Sequence, residues 1–176
     1  VEIALIQEKA AKFNVISTNV DARKMIYDGN VQLKSSKLKA REYFAVDKNG
    51  KFHADQMSFD LNVAQWYGGT VIRRSDLSAE QSSGHGIVEI NDSSIAIDDE
   101  FRTSRNANLY LNNSKFKSKQ AILSGQSNIQ RSIMESDSYD QRGLANFNES
   151  TVGVNDRAFI DQTGAFNANN TIFTGM

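Results

Sequence analysis

The chain has 176 residues, enough for one domain that buries most of its apolar surface. Its 20 Lys and Arg residues nearly balance 21 Asp and Glu residues, so no overall field attracts nucleic acid, and nucleic acid is not expected as a partner. The absence of Cys excludes disulfides, thiolate metal ligands and a cysteine nucleophile. No apolar run reaches the roughly 18 residues that a membrane-spanning helix needs.

The N-terminal segment, residues 1–12, differs from the rest of the chain. Leu5, Lys9 and Lys12, together with three alanines, have a spacing that suits a helical turn. Residues 1–12 are therefore predicted to form a short helical or irregular segment, and residues 13–176 a single β-stack. The chain opens on Val1 rather than Met, and we expect a cleaved signal or a membrane anchor to precede it.

Alternation of apolar and polar residues dominates the remainder of the chain. The clearest runs are residues 30–40 (NVQLKSSKLKA), 51–61 (KFHADQMSFDL), 86–97 (GIVEINDSSIAI) and 106–118 (NANLYLNNSKFKS). A period of two is typical of half-buried strands, and the runs are separated by Gly-rich turn sequences. The pattern predicts an all-β protein. Residues 130–143 (QRSIMESDSYDQRG) are polar and poorly periodic, and we expect a loop or an irregular strand there.

A loose repeat recurs along the chain as a strand, a polar turn, a second strand and then a glycine. Copies occupy residues 11–29, 107–125 and 158–175, with a looser copy at 55–69. So short a unit cannot bury its own apolar face, and successive copies must stack. The last strand would then be an edge that pairs with a partner, through Thr171, Ile172 and Phe173.

The segments 51–74, 100–125 and 156–175 resemble the OstA-like proteins of lipopolysaccharide transport. Chain length makes the periplasmic portion of LptC the nearest likeness, ahead of LptA. The resemblance implies an elongated, open β-jelly roll of stacked short antiparallel strands. It also implies a non-enzymatic, periplasmic bridge component in outer-membrane biogenesis, anchored in the inner membrane in its full-length form. Its partners would be lipopolysaccharide or another lipid, and neighbouring bridge proteins paired through edge strands.

On this interpretation, inward apolar side chains form a groove that holds acyl chains, whose burial yields about 0.8 kcal/mol per CH2 group. The groove candidates are Leu109, Leu111, Phe116, Ile160, Phe166 and Phe173. A basic strand face that could contact lipid phosphates comprises Lys37, Lys39 and Arg41, which alternate with apolar residues.

The sequence offers no pattern for catalysis, a cofactor or a metal. His53 and His85 lie in different segments, without the spacing of paired metal ligands. The acidic run at residues 98–100 could bind calcium or act in acid–base chemistry, but three acids at a strand end usually face water. We therefore predict no catalytic residues, no cofactor and no metal.

Two alternatives remain open. One is a closed parallel β-helix from an adhesin, pilus or phage fibre; the other is an enzyme built on a β-helix. A closed helix requires coils of constant length. The intervals in residue number between successive apolar starts are uneven: 21, 19, 17, 21, 20, 16 and 14. These starts are Val31, Phe52, Val71, Val88, Leu109, Ile129, Ala145 and Phe159. That irregular spacing favours the jelly roll.

Overall fold

A computed structural model describes residues 4–7 and 12–175. These residues form strands and turns without any helix, which confirms the all-β prediction. The strands in chain order are β1 (Ala4–Gln7), β2 (Lys12–Ile16), β3 (Asn19–Tyr27), β4 (Asn30–Lys34), β5 (Lys37–Val46), β6 (Lys51–Asp55), β7 (Ser58–Trp66), β8 (Gly69–Arg73), β9 (Asp76–Gly84), β10 (Ile87–Asn91), β11 (Ser94–Thr103), β12 (Asn108–Asn112), β13 (Lys115–Leu123), β14 (Gln126–Gln130), β15 (Ile133–Gln141), β16 (Leu144–Asn148), β17 (Thr151–Ile160), β18 (Ala165–Asn169) and β19 (Ile172–Gly175).

The described strands are arranged as a parallel β-solenoid of about nine turns. Odd-numbered strands form a ten-stranded sheet and even-numbered strands a nine-stranded sheet, each ordered along the chain. The prediction of an antiparallel jelly roll is therefore wrong. Alternation of apolar residues reports which face of a strand is buried but not the direction of its neighbour, so the pattern fits both arrangements. Consecutive strands here lie in different sheets, and each pairs with the strand two places along the chain.

The coils have regular lengths. Strands β4, β6, β8, β10, β12, β14, β16 and β18 begin at residues 30, 51, 69, 87, 108, 126, 144 and 165. Successive starts differ by 21, 18, 18, 21, 18, 18 and 21, so one longer coil and two shorter coils recur in a fixed order. The irregular spacing inferred from apolar starts was wrong because those residues occupy different strand positions. Val71, for example, is an outward residue of β8, whereas its inward neighbour is Thr70.

One corner of the coils combines a left-handed residue with a following residue that is a buried serine in most coils. In the described part of the chain, nine non-glycine residues from Ser17 to Asn170 have φ between 47° and 55° at this corner. The residue that follows is usually Ser, and the Oγ atom of that Ser accepts a hydrogen bond from the backbone N–H at the same place in the preceding coil. The serine ladder thus formed comprises Ser36, Ser75, Ser93, Ser114, Ser132 and Ser150. Met57 replaces Ser in one coil.

Glycines line a second corner, just before the strands of the nine-stranded sheet. A Cβ atom at Gly68 would lie 2.2 Å from the carbonyl oxygen of Gly50, and one at Gly143 would lie 2.1 Å from that of Gly125. The shorter coils stack too closely here for a side chain, whereas Ala107 occupies the corresponding position in one of the longer coils. This contact explains the glycine that ends the repeat copy at residues 107–125, since a Cβ atom at Gly125 would lie 2.1 Å from the carbonyl oxygen of Ala107.

The long strands of the ten-stranded sheet bend near their middle. In β9, Glu80 and Gln81 are both exposed, so the alternation of buried and exposed residues skips one position. The strands β5, β11 and β17 have ten residues rather than nine, and the register with neighbouring strands shifts at this bend. The extra residue is accommodated as a bulge, which redirects the strand while keeping the core positions aligned.

The core is a continuous column of inward side chains from both sheets. Aromatic rings concentrate in the first coils, where Tyr27, Phe44, Phe52 and Trp66 form a cluster whose neighbouring ring centroids are 5.0–6.0 Å apart. The indole N–H of Trp66 donates to the Ser82 hydroxyl at 2.9 Å, so the ring is buried without an unpaired donor. Shared packing between coils supplies the stability that a single coil lacks.

The structure also bears on two local predictions. The expected N-terminal helical segment is wrong over residues 4–7, which form β1 and pair with β3; residues 1–3 and 8–11 of that segment lie outside the described residues. Residues 130–143, where we expected a loop or an irregular strand, are largely the strand β15, which pairs with β13 and β17 and shifts its register against β17 between Ser136 and Ser138. Its inward residues include polar ones, such as Ser136 and Gln141, and they hide the apolar alternation.

Candidate functional site: an uncharged amide face

The predicted groove residues do not share one surface. Leu109, Leu111 and Phe116 are at most 2 % exposed and belong to the packed core. Phe166 is partly buried against the same core. Ile160 and Phe173 are 52 % and 49 % exposed, in the last two strands of the ten-stranded sheet. The structure therefore divides these six residues between the interior and one end of the stack.

The basic candidates lie on one strand face, since Lys37, Lys39 and Arg41 of β5 are all exposed. Two of them already have acidic partners on neighbouring strands. Lys39 pairs with Asp60, and Arg41 makes a two-pronged contact with Asp21 at 2.7 and 3.0 Å. The hydrogen bond from Arg41 lowers the pKa of Asp21 and outweighs the opposing effect of desolvation. These ion pairs neutralise most of the charge offered to a phosphate.

Several of the remaining titratable residues form ion pairs, hydrogen bonds or ring contacts. Glu100 pairs with Arg102 at 2.9 Å, and Asp99 accepts a hydrogen bond from Gln81 at 3.0 Å. His85 stacks on the ring of Tyr67 at 4.5 Å, and partial burial lowers the pKa of His85. The described residues contain no group of three or more His, Cys, Asp or Glu side chains that could hold a metal ion. They also contain no helix long and apolar enough to span a membrane.

The predicted partner edge lies in the terminal strand. Ile172 and Phe173 belong to β19, the last strand of the ten-stranded sheet, and Thr171 precedes it. Ile172 is 63 % exposed. Beside Phe173 lies a hollow of about 250 Å3 that is also lined by Val152 and Val154. Pairing of this edge with another protein stays a prediction.

The most distinctive outer surface belongs to the end of the nine-stranded sheet. We call the outward side chains of β12, β14, β16 and β18 the amide face. It comprises Asn108, Tyr110, Asn112, Gln126, Asn128, Gln130, Leu144, Asn146, Asn148, Ala165, Asn167 and Asn169. These four strands contain no charged residue, whereas each of the five earlier strands of the sheet contains at least one.

Parallel stacking places identical amides above one another on this face. The Asn146 side chain donates to the Asn128 carbonyl oxygen at 2.9 Å, and Asn167 donates to Asn146 at 2.9 Å. A second column joins Asn169 to Asn148 at 3.0 Å. These bonds hold the amide planes in fixed orientations. Each primary amide has two N–H donors and one carbonyl oxygen, so every member of a column keeps hydrogen-bonding capacity that its neighbours do not use.

Sequence reasoning missed the amide face because it aligned the strands by their apolar residues alone. Asn112, Asn148 and Asn169 are the last residues of their strands, directly before the left-handed corner. The available signal was the recurrence of Asn or Gln at alternate positions, as in NLYLN, QSNIQ, LANFN and AFNAN. Aligning these strands required the coil length, which the apolar starts did not reveal.

Comparison of the chain with family models, with curated proteins and with solved structures gives no match. Function is therefore inferred from the architecture and its surfaces.

Proposed function

We propose that this chain is the non-enzymatic shaft of a structural or adhesive β-solenoid protein, in which binding takes place on the outer surface. The observation that carries the proposal is the filled interior. Core side chains from successive coils contact one another, and the predicted groove residues Leu109, Leu111 and Phe116 are among the most buried in the chain. A ligand must therefore bind outside the coils.

The hydrogen-bond pattern suits a protein that resists mechanical force. Each coil is joined to the next by two parallel ladders, and the serine ladder adds a side-chain bond at one corner. Nine coils, at about 4.8 Å each, give a shaft about 43 Å long. Force applied across the ends acts on many hydrogen bonds and on the shared core at once, which favours a stiff element.

Lipopolysaccharide transport remains an untested prediction, and the packing supports it less well. An acyl chain of about 12 carbons gains on the order of 10 kcal/mol on leaving water. To enter this interior, however, it would have to displace core side chains that gain comparable free energy from being buried. The present packing would instead allow a lipid to bind at the edge of the ten-stranded sheet, beside Phe173.

Two measurements test the proposal together. Beads coated with the chain should be retained under flow on polysaccharide-rich cell surfaces, and beads coated with heat-unfolded chain should not. Protein purified from lipopolysaccharide-producing cells should show only its own mass in native mass spectrometry. Retention equal to that of uncoated beads would contradict the adhesive role. A stoichiometric lipid adduct that crosslinks to a photoreactive residue at position 116 or 166 would favour transport instead.

A further inference from the structure

The amide face has the chemistry of a binding surface for an uncharged, hydroxyl-rich ligand. Its four strands carry no charge, so ionic attraction contributes little to recognition there. Sugar hydroxyl groups both donate and accept hydrogen bonds, as primary amides do. The column formed by Asn128, Asn146 and Asn167 presents such groups at the coil repeat of about 4.8 Å.

The amide columns are ordered before any ligand arrives. Asn146 is held between its two neighbours by bonds of 2.9 Å, so the side chain has already lost much of its rotational freedom. Binding to a preorganised group avoids the entropy cost of ordering it, about 0.5–1.5 kcal/mol for each flexible side chain. Flexible lysines, which occur on other faces of the solenoid, lack this advantage.

An aromatic ring borders the columns. Tyr110 is the register partner of Asn128 in the neighbouring strand, so it continues the same column, and it is half-buried. Leu144, which lies two residues before Asn146 in β16, is exposed on the same face. A sugar ring has a polar rim of hydroxyls and apolar C–H faces, and a surface of amides beside a phenol and a leucine can contact both.

The size of the amide face discriminates between possible occupants. Four strands about 4.8 Å apart, with five residues of about 3.3 Å each, cover about 300 Å2, whereas each partner in a stable protein complex buries about 800 Å2. Face-to-face pairing of two copies would therefore be too small to persist by itself. The area is better matched to a short stretch of a linear chain lying along the strands or across them.

From the neutral composition, the fixed amide columns and the limited area, we infer that the amide face binds an uncharged glycan. This inference rests on the proposed function, because it supplies the ligand class for the outer surface of the shaft. Asn128, Asn146 and Asn167 contact the sugar hydroxyls, and Tyr110 packs against the C–H face of a sugar ring.

The test uses a glycan array that contains neutral and anionic oligosaccharides, followed by calorimetry with cellohexaose, maltohexaose, mannohexaose and a galacturonate hexamer. We expect binding to at least one neutral glycan and none to the galacturonate hexamer. Asn146→Asp keeps the side-chain size but introduces charge, and it should weaken that binding at least tenfold. Gln32→Glu makes the same chemical change in the same column of outward residues, outside the amide face, and should leave binding unchanged.

Three outcomes would overturn the inference. The first is an array with no neutral glycan bound. The second is binding that Asn146→Asp and Tyr110→Ala both leave intact while circular dichroism shows folded protein. The third is concentration-dependent dimerisation that Asn146→Asp abolishes, which would assign the face to a second copy. If coated beads still adhere to cells in any of these cases, the shaft proposal stands and only the ligand class is wrong.

Discussion

The serine ladder predicts a sharp difference between two serine-to-alanine changes. Ser114 and Ser127 are both buried, so each change removes the same hydroxyl from a similar environment. The Ser114 Oγ atom accepts from the Ser93 backbone N–H at 3.1 Å and donates to the Asn112 carbonyl at 2.7 Å. The Ser127 hydroxyl has no hydrogen-bond partner among the described residues.

The magnitudes follow from those contacts. Ser114→Ala leaves the buried N–H of Ser93 unsatisfied, which costs about 1–3 kcal/mol. In a chain of this length each 1 kcal/mol shifts the melting temperature by about 2–4 °C, so we expect a decrease of roughly 2–12 °C. Ser127→Ala removes a hydroxyl that was buried without compensation, and it should leave stability unchanged or raise it by up to about 1 kcal/mol.

Thermal and urea unfolding, followed by circular dichroism, measure both variants against the parent chain. Amide hydrogen exchange supplies a local readout, because only Ser114→Ala should accelerate exchange at Ser93. Equal unfolding midpoints for the two variants would refute the reasoning. So would a loss of stability confined to Ser127→Ala, since the bonded hydroxyl would then contribute less than the unbonded one.

Three further predictions concern the corners and the core. In a urea titration, Gly143→Ala should lower the free energy of unfolding by at least about 2 kcal/mol, because the new Cβ would lie 2.1 Å from the Gly125 carbonyl oxygen. Gly69→Ala is the control, since a Cβ there would have no atom within 4 Å. It should change the free energy of unfolding by no more than about 0.5 kcal/mol. Arg131→Asn should stabilise by up to about 1 kcal/mol, since Asn tolerates the left-handed φ of 48° better, and the reverse change Asn170→Arg should have the opposite sign. Burial raises the pKa of Tyr27, so the folded chain retains a phenol proton that the unfolded chain loses above about pH 10. The Tyr27 phenol should therefore not affect the free energy of unfolding below about pH 10, and that free energy should fall as the pH rises above about 10. Urea midpoints at pH 8 and pH 11 should differ less in Tyr27→Phe than in the parent chain.

Local sequence patterns determined much about the strands. The alternation at residues 30–40 and 51–61 correctly predicted β4 to β7, and the exposed Lys37, Lys39 and Arg41 opposite Leu38 and Ala40 follow from the same period of two. The need for stacking also followed, because so short a repeat unit lacks the apolar surface to fold alone.

Strand direction and coil register were decided only by the tertiary structure. Whether β4 pairs with β5 or with β6 depends on the turn between them, and the left-handed Ser35 followed by the buried Ser36 directs the chain to the other sheet. Neither residue carries a strong turn signal in sequence. The alternation of longer and shorter coils became visible only when inward positions were aligned through space.

The candidate site shows the same division. The sequence determines that residues 108–169 are rich in Asn and Gln. It also determines that the segments that form β12, β14, β16 and β18 contain no charged residue. Only parallel, in-register stacking places Asn128, Asn146 and Asn167 at bonding distance from one another. The physical reason is that a side-chain column depends on contacts between residues a whole coil apart in the chain, whereas sequence patterns report the preferences of near neighbours.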